Sequence, residues 1–87
     1  MNPYKSTAEF DEITLPAALR NDHATKAGVW GVIRVSAGAV RLTLEDGSER
    51  TVSPADPALV EPEQRHRVEP LGPVRMSVDF YRERPLI

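Results

Sequence analysis

Two side chains in this sequence combine a pKa near neutrality with an affinity for transition metals, His23 and His66. His66 opens the stretch His66-Arg67-Val68-Glu69, where two-residue spacing turns it to the same side as Val68, toward the interior. His23 precedes Thr25 by the same spacing, at the mouth of the first long strand. The two lie far apart in the chain, so only the fold can bring them together. If they meet, they offer a site for a divalent transition metal (zinc, iron or similar) or an acid–base pair. Two imidazoles are an incomplete ligand set, which a carboxylate and water would have to complete. Glu61 and Glu63 are the nearest acids, and both also read as ordinary solvated loop residues. If they do not meet, they are two unrelated surface or hydrogen-bonded histidines. Trp30, the single tryptophan, is more commonly a core or rim residue than a ligand platform. Arg34, Arg41, Arg65 and Arg67 would ring a pocket for a small anion or, more simply, solvate outer strand faces. There is no glycine-rich phosphate loop, no nucleophile elbow and no serine beside a candidate base. The residues alone do not support catalysis.

The elements that must position these groups are short strands. His23 to Val35 is rich in β-branched residues, breaks at Ser36-Ala37-Gly38, and returns as Ala39 to Glu45. This reads as a central hairpin. Its return leg alternates, Val40, Leu42 and Leu44 on the core side against Ala39, Arg41, Thr43 and Glu45. Asp46-Gly47 is a two-residue turn signal leading to Arg50-Thr51-Val52. Ala58-Leu59-Val60 is a further strand, stopped before Pro62, which cannot donate to a ladder. After His66–Glu69 the chain turns at Pro70-Leu71-Gly72-Pro73. The last strand then sends Val74, Met76, Val78 and Phe80 inward and Arg75, Ser77, Asp79 and Tyr81 outward. Near the start, Tyr4 to Phe10 reads as an edge strand. Thr14 to Arg20, with Pro16 at the first helical position, is the one helical piece. Six or seven short strands separated by turns predict an all-β sandwich or barrel.

At 87 residues this is one domain with a single modest core. A net charge of −2 with acids and bases interspersed leaves no electrostatic footprint for nucleic acid or an anionic membrane. The absence of cysteine removes disulfides, thiolate chemistry and cysteine-based zinc sites. The N-terminus lacks the apolar core of a signal peptide, and Gly28 to Ile33 is too short to span a bilayer. A cytoplasmic protein is the expectation.

Several motifs in order carry a family resemblance. His23-Ala24-Thr25-Lys26-Ala27-Gly28-Val29-Trp30, Glu61-Pro62 before His66-Arg67-Val68-Glu69-Pro70-Leu71, and Val78-Asp79-Phe80-Tyr81 resemble the TehB/YeaR-like domain family. Tyr4-Lys5-Ser6-Thr7 and Leu15-Pro16 resemble its opening, so the likeness runs from about Tyr4 to Arg82. It implies a single small cupin domain over 1–87, a double-stranded β-helix or jelly-roll sandwich of short antiparallel strands. Some members precede a methyltransferase implicated in tellurite resistance, whereas others stand alone and are associated with nitrate and nitric-oxide response. The methyltransferase domain itself has no room in 87 residues.

His23 and His66 match the family's two histidines, in places resembling those where cupins hold metal, with Thr25 and Trp30 lining the implied pocket. The departures are Thr25 where a second histidine is usual, no acid between Lys26 and Gly38, and Gln64 where a glycine is usual. Two functional readings follow. One is a binding module for a metal ion or small ligand in tellurite or nitrosative stress response. The other is a minimal cupin enzyme acting on a small oxyanion through His23 and His66. Open sheet edges and the family likeness also predict a homodimer.

Overall fold

The computed structural model describes residues 2–87. Its strands are β1 (Lys5–Ser6), β2 (Phe10–Asp11), β3 (Trp30–Ala37), β4 (Val40–Leu44), β5 (Glu49–Val52), β6 (Ala58–Val60), β7 (His66–Pro70) and β8 (Arg75–Tyr81). One short helix, α1 (Ala17–Arg20), precedes β3. The strands form two antiparallel sheets, β1-β8-β3-β6 with β2 also on β8, and β5-β4-β7. The fold is the expected all-β, jelly-roll-type sandwich.

Its frame is a double-stranded ribbon that bends from one sheet into the other. β3 pairs with β8 from Trp30↔Tyr81 to Ala37↔Arg75, and β4 pairs with β7 from Val40↔Pro70 to Leu44↔His66. A β-bulge between Val35 and Ala37 starts the bend, because an extra residue twists and kinks its strand. Gly38, at φ +77°, and Gly72, at φ +129°, carry the two arms round the corner.

The central hairpin expected from the sequence is therefore corrected: β3 and β4 belong to different sheets and do not pair. Paired side by side, Ile33 and Val35 would share one sheet face with Val40 and Leu42, and that face would need another cover. Folding at the corner stacks the two apolar faces on each other, each shielding its partner from water. The inward alternation within each strand is as expected. Val40, Leu42, Val74, Met76 and Val78 are buried in one cluster, with Leu44 and Phe80 packed against it.

Two local readings are also adjusted. Pro16 caps α1 from outside, at φ −58° and ψ 142°, instead of occupying its first turn. Proline's fixed φ suits either place, and here its extended ψ decides. Tyr81, on the outward register, is nonetheless buried, and its hydroxyl accepts a hydrogen bond from Arg34 Nη2 at 3.4 Å. Arg34 Nε also pairs with Asp79 at 2.7 Å, so this outer face of β3 and β8 is tied by charge.

Candidate functional site

The fold brings the two histidines together through their backbones before their side chains. His66 begins β7, and on the edge away from β4 it forms an isolated antiparallel bridge with His23. The His23 N–H donates to the His66 carbonyl at 3.0 Å, and the His66 N–H donates to the His23 carbonyl at 2.8 Å. Residues that exchange both bonds stand directly opposite, with side chains on one face. The imidazole centroids are consequently 4.0 Å apart, with ring planes tilted by 55°.

Each ring is fixed in the same way, against the carbonyl two residues before it. His23 Nδ1 lies 3.0 Å from the Asn21 oxygen and His66 Nδ1 lies 2.9 Å from the Gln64 oxygen. A carbonyl only accepts, so Nδ1 carries the proton in both rings. Nε2 is then the free lone-pair atom of a neutral imidazole. No protein group among the described residues bonds either Nε2, and neither atom is wholly sealed from solvent.

Both rings line a cavity of about 150 Å³ between the sheets. Its walls are otherwise mainly aliphatic and aromatic, with Ile33, Val60, Val68, Met76 and Phe80 among them. Thr25 also lines it, but its hydroxyl is engaged elsewhere. Thr25 Oγ1 donates to the Val29 carbonyl at 2.7 Å and accepts from the Glu63 N–H at 3.3 Å. Trp30 is not among the lining residues; its ring faces the Arg84 guanidinium, 5.5 Å from the centroid. None of Arg34, Arg41, Arg65 and Arg67 lines the cavity either.

The loop acids hold this corner by their backbones. Glu61 and Glu63 do not line the cavity, and among the described residues no three His, Cys, Asp or Glu side chains gather to hold a metal ion. The turn they belong to positions His66: Gln64 Oε1 accepts from the Glu61 N–H at 3.1 Å, while the Gln64 carbonyl receives His66 Nδ1. Glu63, one residue before Gln64, takes the left-handed backbone, φ 61°.

Leu19 and Gly31 complete the wall without having been singled out in the sequence. Gly31 left a signal, since a glycine inside a strand often marks space kept for something else. Leu19 left none, because one apolar residue in a four-residue helix has no period to read.

Burial gives His66 a distinct acid–base character. It is 5% exposed, and removal from water holds its pKa below the ordinary histidine value. The neighbouring His23 charge pushes the same way, opposed by the hydrogen bond to Gln64 and by Asp22. The unfolded chain takes up this proton near about pH 6.5, and the folded chain only at lower pH. Stability from this group is therefore fully present above about pH 6.5 and falls as the pH drops through the folded value. Urea denaturation between pH 8 and pH 5 should show the loss in the wild type and a smaller one in His66→Phe. Equal slopes in the two proteins would assign the loss to other groups.

Solved structures share this fold. TehB from Haemophilus influenzae superposes with a TM-score of 0.82 at 29% identity, over 90% of this chain and 30% of that one. The chain thus spans under a third of that protein's length. A protein from E. coli (strain K12) superposes with a TM-score of 0.82 over 90% of this chain and 86% of its own, and at 22% identity it speaks to the fold alone. No curated protein matches the chain. The TehB-like domain model matches residues 5–78, from β1 into β8, and the chain belongs to the TehB-like domain family.

Proposed function

We propose that this chain is a small-ligand-binding module whose site is the cavity between the sheets, acting in tellurite or nitrosative stress response. One observation carries the reading: the His23–His66 bridge fixes two imidazoles by Nδ1 on the wall of an otherwise apolar cavity of about 150 Å³. An apolar cavity of about this volume accommodates a molecule the size of benzene. The link to stress response rests on the likeness to TehB and extends to no activity of that longer protein.

A divalent transition metal is the second reading, favoured by the Nδ1 anchors, since ligating histidines commonly give that proton to a carbonyl. His23 and His66 would hold the ion, and it would supply Lewis acidity. The fit is incomplete. Two rings sharing an ion at about 2.0–2.1 Å stand with centroids roughly 5 Å apart, against the 4.0 Å here. Among the described residues no third His, Cys, Asp or Glu side chain gathers with these two to complete a site. A minimal enzyme using the imidazoles as acid and base is less supported, because the one hydroxyl on the wall, that of Thr25, gives its proton to the Val29 carbonyl and not to either imidazole.

Gly31→Ala tests the site without removing a polar group. The added methyl meets Thr25 Cγ2 at 3.7 Å, Val60 Cβ at 3.8 Å and Val78 Cγ1 at 3.9 Å, all ordinary contacts. The variant should fold, gain about 0.4–1 kcal/mol from reduced unfolded-state freedom, and lose cavity volume. Neutral fragments that shift the amide resonances of Gly31 and His66 in the wild type should bind it at least tenfold more weakly. Unchanged affinity would put the binding site elsewhere. Elemental analysis of protein purified without added metal decides the second reading, for which about one ion per chain is the required result.

A further inference from the structure

The polar atoms of the cavity are all of one kind, and this restricts the chemistry of what enters. Both Nδ1 protons are spent on the Asn21 and Gln64 carbonyls. The Thr25 hydroxyl proton is spent on the Val29 carbonyl. The remaining walls are hydrocarbon, with no arginine, lysine or carboxylate among them. The two Nε2 atoms are therefore the polar groups left for a ligand, and in the neutral imidazole each can only accept.

Resting on the ligand-binding reading above, we propose that the site selects small neutral molecules with an apolar body and an N–H or O–H donor, which hydrogen-bonds to Nε2 of His66. His66 is the better acceptor of the pair, because it is the more buried and water competes less for it than for the half-buried His23. Burial also disfavours its protonation, so the lone pair persists at neutral pH. Small oxyanions are excluded by the same inventory. An anion needs donors or positive charge, and here it would meet a lone pair and hydrocarbon. The domain's part in an oxyanion-stress response would then lie in sensing or carrying an organic molecule.

Phenol, benzene, sodium nitrate and zinc chloride are suitable probes for the full chain at pH 8, well above the ordinary histidine range of about 6.5. The expected result is that phenol binds at least as tightly as benzene, with a change in the His66 Nε2 nitrogen resonance that benzene does not cause. Nitrate should leave both histidines unmoved. In His66→Phe, benzene affinity should hold within a few-fold while phenol weakens tenfold or more, because its hydroxyl would be buried unpaired. If the wild type binds phenol tenfold more weakly than benzene, the donor proposal is overturned and the ligand-binding reading stands. Tighter binding of nitrate or zinc than of phenol overturns it in the same way. If none of the four probes binds, the ligand-binding reading fails with it. Should His66→Phe not fold, the wild-type ratio of phenol to benzene and the Nε2 resonance still decide.

Discussion

Gly38→Ala should destabilise the protein by about 3 kcal/mol or more, whereas Gly28→Ala and Gly47→Ala should cost only about 1–2 kcal/mol each. All three glycines have left-handed backbones, with φ of 77°, 77° and 85° in the order Gly28, Gly38, Gly47. An added Cβ meets the same intrinsic penalty at each, so that part of the loss is common. The surroundings differ. At Gly28 and Gly47 nothing lies within 4 Å of the new carbon, but at Gly38 it would stand 2.2 Å from the Pro73 carbonyl oxygen and 3.1 Å from Val74 Cα. Both are backbone atoms of the opposite arm of the ribbon, which cannot swing aside as a side-chain tip would. Either the β3–β4 corner opens or β8 shifts, and both movements disturb the pairing that joins the sheets. Urea midpoints at constant m would measure the three losses. Equal losses at all three positions would mean that the corner gives way freely and that Pro73 constrains nothing.

The same corner shows why the chain was only partly legible from its sequence. Alternation in Val40–Leu44 and Val74–Phe80 is local, so it identified the strands and their inward faces correctly. Which strand pairs with which depends on how two apolar faces find cover, and no window of ten residues contains that information. A glycine after Ser36-Ala37 suits a hairpin and a sheet-to-sheet corner equally well. The histidines divide along the same line. His66 announced its inward direction through Val68, because the two share a strand. Its partnership with His23 arises from a single backbone bridge between distant segments, which no spacing encodes; the family likeness supplied that pairing. The Nδ1 anchors were out of reach for another reason, since their acceptors are main-chain carbonyls of Asn21 and Gln64, a group every residue carries. Tyr81 was assigned to solvent by its register, and only the tertiary placement of Arg34 and Asp79 on the same outer face accounts for its tie there.

Leu42→Ala should cost about 2–5 kcal/mol, the usual range for emptying a buried leucine site. Leu42 is 2% exposed at the centre of β4, opposite Val68 on β7 and Arg50 on β5. Its side chain lies where the two sheets face each other, so neighbouring strands held on both edges cannot collapse fully into the vacancy. For a domain of this size the total stability is about 4–13 kcal/mol, and the melting temperature should fall by roughly 10 °C or more. Phe80→Ala offers the informative contrast. Phe80 is partly buried and lines the cavity that holds the imidazoles. Its truncation extends an existing space and leaves less newly unsupported packing, so its loss should fall near or below the lower end of its usual range of about 3–5 kcal/mol. Ligand affinity should respond in the opposite order, because Phe80 contributes wall to the site and Leu42 does not line it. Ser77→Ala, on the outer face, should change stability by less than about 0.5 kcal/mol and leave binding unaltered. Thermal unfolding and phenol titration of the three variants would test both orders together. If Phe80→Ala lost more stability than Leu42→Ala yet bound phenol as the wild type does, Phe80 would be a core residue and the cavity wall would have to be redrawn.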